Sequence, residues 1–201
     1  MVGVTNMQPL ERADSLRHEA DVVMSLIHLN DILHPYGTIF PSGSYFLDVM
    51  VYPDIDLYLP QLSLQQLFTI AAQLASCEQV IQVVFERSDD PLRLPEGLYL
   101  KLRIKYGDWG RPWKIDMWSL PESAVEERMA EMDHFNHGMT PTLREQIIRY
   151  KLSILTSQKR TPMYSGYSIY KAFVDEGLTD EASVTDYLIT HGVQIEPPRA
   201  A

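Results

Sequence analysis

Residues 42–60 read Ser-Gly-Ser-Tyr-Phe-Leu-Asp-Val-Met-Val-Tyr-Pro-Asp-Ile-Asp-Leu-Tyr-Leu-Pro. From Asp54 to Leu59 the pattern alternates strictly, with Ile55, Leu57 and Leu59 on one side and Asp54, Asp56 and Tyr58 on the other. That predicts a strand with one buried face. Two aspartates at i and i+2 then project from the same face, about 7 Å apart along the strand. When both are ionised they repel unless a cation sits between them. An all-oxygen donor set suits Mg²⁺, which completes its shell with water and substrate phosphates. Gly43-Ser44 lies upstream, where the spacing predicts a short helix over Ser44 to Met50. Backbone N–H groups, a hydroxyl and the positive end of a helix together suit an anion.

Working toward the N-terminus, Gly37 to Ser42 reads as a strand. Before it, Leu16, Ala20, Val23, Met24, Ile27 and Leu33 recur at helical spacing, predicting one long helix from Asp14 to Leu33 that His34-Pro35 ends. Working toward the C-terminus, Ser63 and Gln66 form a capping box that opens a helix to about Ser76. Val80 to Glu86 reads as a strand. Leu98 to Tyr106 alternates again, with Leu98, Leu100, Leu102 and Ile104 inward and Tyr99, Lys101, Arg103 and Lys105 outward. A Gly-Asp-Trp-Gly turn at Gly107 to Gly110 leads into a strand over Trp113 to Trp118, so an antiparallel hairpin is expected.

After Leu120-Pro121 strand patterning stops. Four helices are expected, at about Glu122 to Asp133, Thr142 to Thr156, Met163 to Glu176 and Glu181 to His191. Thr140-Pro141 and Thr161-Pro162 read as N-caps followed by proline at the first helical position, and Gly177 and Gly192 as helix ends. The tail Glu196 to Ala201 reads as frayed. The fold class is therefore α+β: a mixed sheet with helices on one face, whose open polar face forms a cleft, plus a C-terminal helical region. The domain expectation is residues 1–120 for the α/β part and 121–201 for the helical part.

Composition narrows the function classes. The 201 residues are 45% apolar, enough for a packed core rather than a disordered chain. No apolar run is long enough to span a bilayer, and Met1 to Glu11 lacks the pattern of a signal peptide. Cys77 is the sole cysteine, which excludes an intrachain disulfide and a cysteine-rich zinc cluster. A cytoplasmic protein with no membrane partner is expected. Seventeen Lys and Arg against 27 Asp and Glu leave a formal charge of −10. That balance disfavours an extended nucleic acid, which selects for basic surfaces. One local exception holds six basic residues (Arg93, Lys101, Arg103, Lys105, Arg111, Lys114) against Glu96 and Asp108. A small anionic ligand fits there.

The stretch Ser42 to Pro60 resembles the signature of the polymerase-β-like nucleotidyltransferase superfamily: a small or apolar residue, Gly-Ser, a spacer, then Asp-x-Asp flanked by apolar residues. The resemblance extends from about Gly37 to Leu120. It implies a third carboxylate from a later strand, for which Asp116 in Trp113-Lys114-Ile115-Asp116-Met117 is the natural match, with Asp108 and Glu86 as weaker alternatives. It further implies that Asp54, Asp56 and Asp116 are the catalytic and metal-binding residues, holding Mg²⁺ or Mn²⁺. Gly43 and Ser44 would hold the outer phosphates of an ATP-like nucleoside triphosphate, with Lys101, Arg103, Lys105 or Lys114 neutralising pyrophosphate. The implied activity is transfer of a nucleoside monophosphate to a hydroxyl acceptor, a small molecule or a protein side chain. A catalytically silent nucleotide-binding or interaction module, and a metal-dependent phosphohydrolase, are the competing expectations. Two departures stand out: Pro53 directly before Asp54, and the apolar Val49-Met50-Val51 in the spacer.

The remaining chemistry-bearing residues carry plainer expectations. His134 and His137 read as ordinary helix-end residues, since no further ligand lies at zinc-like spacing. Cys77 has no activating pattern. Tyr164, Tyr167 and Tyr170 read as packing residues, and Arg144, Arg149 and Lys151 as a solvated helix face.

Overall fold

A computed structural model describes residues 7–87 and 97–195. Arg93 and Glu96 of the basic stretch, the first residues of the N-terminal segment and the tail from Glu196 therefore lie outside the described residues. Among those described, five strands form one mixed sheet in the order β1-β2-β5-β4-β3: β1 (Phe40–Ser42), β2 (Asp54–Leu59), β3 (Val80–Glu86), β4 (Leu98–Ile104) and β5 (Trp113–Ser119). Only β2 and β5 run parallel; the other neighbours are antiparallel, including the expected β4–β5 hairpin. The chain leaves β2 through α4 (Leu64–Ala75), crosses to the far edge at β3, and returns strand by strand until β5 lies against β2.

Alternation decides the two faces of the sheet. Ile55, Leu57, Leu100, Leu102, Ile104, Trp113, Ile115 and Met117 point inward and are buried. They pack against α1 (Pro9–Leu26), α2 (Leu29–Leu33) and α4, which together cover this face. The Ser63 cap forms as the sequence predicts: Ser63 Oγ accepts from the Gln66 N–H while Gln66 Oε1 accepts from the Ser63 N–H.

The single N-terminal helix is in fact two. α1 stops at Leu26, and His28 adopts left-handed backbone geometry before α2 begins. The reason is register. Ile27 and Leu29 are both buried but only two residues apart, which no continuous helical stripe permits, so the break turns Leu29 and Leu33 back onto the core. Likewise the first strand shortens to β1, because only Phe40, Pro41 and Ser42 pair with β2. The helix expected over Ser44 to Met50 shortens to α3 (Gly43–Phe46), with Asp48 left-handed at its end.

Four helical segments follow the sheet: α5 (Glu122–Gly138), α6 (Pro141–Ser153), α7 (Ser165–Tyr170) and α8 (Glu181–Thr190). α5 runs a turn past Asp133 because Phe135 is buried. Thr140 caps α6, its Oγ1 accepting from the Leu143 N–H. Thr161-Pro162 does not cap a helix: α7 starts three residues later, after a left-handed Tyr164, and continues into a π-helical turn over Lys171–Asp175. Thr161 is instead buried against Tyr52, with Oγ1 3.1 Å from the phenol oxygen.

A second core joins this helical region to α1 and to the loop between α3 and β2. Ala13, Leu47, Val49 and Val51 cluster with Phe135, Ile147, Ile148, Ile169, Phe173, Val184 and Leu188. The apolar run that marked the spacer out is therefore where the C-terminal helices dock.

Candidate active site

The sheet register arranges the polar face as a grid. Asp54, Lys114 and Arg103 form one row across β2, β5 and β4; Asp56, Asp116 and Lys101 form the next; Tyr58, Trp118 and Tyr99 form the third. The third row is aromatic, with Tyr99 and Trp118 ring centroids 4.3 Å apart. Asp54 and Asp56 share a face because they are two apart on one strand. Asp116 joins them because β5 is the parallel neighbour that places it directly opposite Asp56.

Gly43 brings the turn before α3 against this row. Its φ is +58°, and a Cβ there would stand 2.7 Å from Asp56 Oδ2. Only glycine permits both the backbone angle and the approach. Ser44 then lies in a small polar network. Lys151 on α6, almost wholly buried, donates from Nζ to Ser44 Oγ at 2.6 Å and to the Val49 carbonyl at 2.7 Å. The Tyr170 hydroxyl is 3.0 Å from Ser44 Oγ. Arg12 Nε donates to the Val51 carbonyl and Arg144 Nε to the Asp48 carbonyl, each at 2.8 Å. Three cationic side chains thus satisfy the carbonyls of the spacer loop, which carries no ladder of its own.

Asp116 is fully engaged. Tyr99 Oη donates to its Oδ1 at 2.7 Å, and Lys114 Nζ donates to its Oδ2 at 2.6 Å. The same ammonium lies 2.9 Å from Asp54 Oδ1. That approach is off hydrogen-bond geometry, so the buried Asp54 Oδ1 has a charge beside it but no hydrogen bond. Three carboxylates around one ammonium leave the cluster short of positive charge. Burial, reinforced by Asp54 and Asp116, pushes the Asp56 carboxyl up to about 8. Burial raises Asp54 as well, against the pull of Lys114. Lys114 is drawn down by burial but held above its ordinary value by Asp54, Asp116 and Asp56. Burial takes Lys151 down to about 7 although Asp54 and Asp56 pull the other way.

These groups open onto a cavity of about 740 Å³. Gly43, Ser44, Asp54, Asp56, Asp116, Lys101, Arg103 and Lys114 all line it. Lys105 does not: it follows the end of β4 and is exposed. Of the alternative carboxylates, Glu86 lines the cavity at the end of β3, whereas Asp108 sits on an exposed turn. The far wall comes from the helical region through Arg128, Arg160, Tyr164, Tyr167 and Tyr170.

Several residues here go beyond the sequence expectations. Lys151 is no part of a solvated face; it lies at i+4 from Ile147 and i+3 from Ile148, on the buried stripe of α6, and that spacing was its visible signal. Arg144 is half-buried against Asp14 and Asp48, while Arg149 pairs with Glu145 on an exposed face as expected. Tyr170 packs inside, but Tyr164 is 67% exposed and Tyr167 is 42% exposed, so neither is a core residue. His134 pairs with Asp175 and His137 bonds the Asp133 carbonyl, matching the helix-end reading. Cys77 donates to Gln79 Oε1 at 2.9 Å.

The donor set fits a divalent ion: one buried and two half-buried carboxylates, one oxygen without a hydrogen bond, and a net negative cluster. As the side chains stand, no three His, Cys, Asp or Glu groups among the described residues close into a ligand cage, and the Lys114 ammonium bridges Asp54 and Asp116.

No protein-family model and no curated protein matches the sequence. Solved structures do. The Cid1 poly(U) polymerase with MgGTP bound is 15% identical over 70% of this chain, with a TM-score of 0.47. The GLD-2/RNP-8 complex is 10% identical over 92% of this chain, with a TM-score of 0.48. The poly(A) polymerase complex GLD-2–GLD-3 is 13% identical over 87%, with a TM-score of 0.46. The chain is thus similar to a poly(U) polymerase and a poly(A) polymerase of known structure. The chain spans 43%, 58% and 61% of these three matched chains, respectively. No helix among the described residues is long and apolar enough to cross a membrane.

Proposed function

We propose that this protein is a divalent-metal-dependent nucleotidyltransferase that moves a nucleoside monophosphate from a nucleoside triphosphate to a hydroxyl acceptor and releases pyrophosphate. The observation that carries the reading is the register: Asp116 lies opposite Asp56, with Asp54 on the same face and the Gly43-Ser44 turn packed against Asp56. Asp54, Asp56 and Asp116 would hold Mg²⁺ or Mn²⁺, which supplies charge stabilisation to the attacking and leaving oxygens of an in-line displacement. Gly43 and Ser44 receive the outer phosphates, and Lys151, buried behind them, holds the Ser44 hydroxyl in place. Lys101 and Arg103 face the same cavity and offset pyrophosphate charge. Asp116, bonded to Tyr99 of the aromatic row, orients the acceptor hydroxyl and takes its proton.

Tyr164 offers an exposed ring on the far wall for a nucleobase, and Tyr58, Trp118 and Tyr99 form the floor beside Asp116 for the acceptor. The helical region from residue 121 closes the cleft over the sheet domain. The net charge of −10 favours a small hydroxyl compound or a protein side chain over an extended polyanion as acceptor. Calorimetric titration of ATP, GTP, CTP and UTP with and without Mg²⁺, into wild type and Asp54→Ala/Asp56→Ala, tests the donor site. Magnesium-dependent binding lost in the double variant supports it, and binding indifferent to both metal and substitution sinks it. The preferred nucleotide, labelled at the α-phosphorus, then reports the acceptor class: small hydroxyl compounds, protein, or an RNA 3′ end.

A further inference from the structure

We infer that Lys114 is a built-in cation that holds the carboxylate cluster together and must be displaced when a divalent ion enters. This rests on the proposed metal role of Asp54, Asp56 and Asp116. Lys114 sits two residues before Asp116 on β5 and directly opposite Asp54 on β2, so its side chain leaves the sheet on the carboxylate face. Its Nζ is 2.6 Å from Asp116 Oδ2 and 2.9 Å from Asp54 Oδ1, bridging carboxylates of two different strands. Its side chain is only 14% exposed, so solvent screens these contacts weakly.

The bridge has a physical reason. Asp56 and Asp116 are directly opposed on neighbouring strands, and like charges in that relation repel. A tethered ammonium compensates part of that charge while the protein folds. A divalent ion brings twice the charge and can take several oxygen ligands at once, whereas an ammonium offers three single hydrogen bonds. The two cannot share the space between Asp54 and Asp116. Once displaced, the ammonium remains on the cavity wall beside Arg103, its neighbour across β4 and β5, where it can turn to the phosphates. Ion entry and phosphate binding therefore become linked: the ion frees the cation, and the phosphates give that cation a partner. The nucleotide-free protein should consequently bind divalent ions weakly.

The test is Mn²⁺ binding to nucleotide-free protein, followed by the electron paramagnetic resonance signal of the free ion. It compares wild type, Lys114→Met, Lys114→Arg and Asp54→Asn/Asp56→Asn. Removing the ammonium should tighten Mn²⁺ binding about tenfold or more. Lys114→Arg, which keeps the charge, should stay near wild type. Equal affinity in wild type and Lys114→Met, or no saturable binding by Lys114→Met, overturns the inference. If Mn²⁺ binding depends on Asp54 and Asp56 but is indifferent to Lys114→Met, the metal-site reading stands and only this inference fails. Binding that survives Asp54→Asn/Asp56→Asn places the ion elsewhere and removes both. A readout on wild type covers the case in which Lys114→Met does not fold: acetylation of Lys114 by acetic anhydride, followed by mass spectrometry, should rise when Mn²⁺ is added. Unchanged labelling overturns the inference.

Discussion

Asp56 and Asp116 face each other across the only parallel strand pair of the described sheet, with Gly43 packed on one and Tyr99 bonded to the other. The Asp116 carboxylate thus has a fixed orientation before any ligand arrives, which is the preorganisation that charge-stabilising sites need. Asp116→Asn should lower nucleotidyl transfer about a hundredfold or more with the fold intact. Asp108→Asn, on an exposed turn, should leave it unchanged. Pyrophosphate release with the preferred nucleotide and acceptor measures both.

Gly43→Ala probes the turn. The added Cβ meets Asp56 Oδ2 at 2.7 Å and forces an L-residue to φ +58°. The backbone alone should cost about 1–2 kcal/mol in urea unfolding. Triphosphate affinity should fall with it, because relief of the contact moves either the turn or the Asp56 carboxylate from its place.

Lys151 predicts a pH dependence with a definite sign. Its folded value, about 7, lies below the ordinary 10.5. Between those values the unfolded chain holds a proton that the folded protein does not. Stability from this group therefore rises with pH across that window and is lowest below 7. The unfolding free energy of wild type minus that of Lys151→Met should slope upward from pH 7 to 10.

Tyr164 separates base recognition from stability. Its ring is 67% exposed and lines the cavity. Tyr164→Ala should lower unfolding free energy by about 1 kcal/mol or less. Nucleoside triphosphate binding should weaken by about 1–3 kcal/mol, the scale of a base on an aromatic ring. Inorganic pyrophosphate, which has no base, should bind both proteins equally.

The Ser63 cap is a purely structural check. Ser63→Ala removes the acceptor for the Gln66 N–H and should cost about 1 kcal/mol of unfolding free energy, with nucleotide binding unchanged.

Alternation of period two made β2, β4 and β5 readable to within a few residues, because a strand with one buried face must alternate. It also put Asp54 and Asp56 on one side without any three-dimensional information. The same logic failed where two short elements share a buried stripe. Ile27 and Leu29 both look like members of one helix, and only the left-handed turn at His28 lets both reach the core. Thr161-Pro162 carried the composition of a cap, but capping depends on where the following backbone turns, and Tyr164 delays that turn.

What the sequence alone determined is local: the alternating faces, the caps, the Gly-Ser turn before an aspartate pair, and the shift from strands to helices after Pro121. These follow from interactions between residues a few positions apart, whose geometry the backbone period sets. Tertiary structure decided which strands became neighbours, and so that Asp116 met Asp56 and that Lys114 came between Asp54 and Asp116. It also decided that Lys151, more than a hundred positions from Ser44, is buried against it, and that Val49 and Val51 are a docking surface for helices. Contacts of that separation depend on how apolar faces stack and on which charges must then be satisfied inside, and no spacing along the chain encodes that outcome directly.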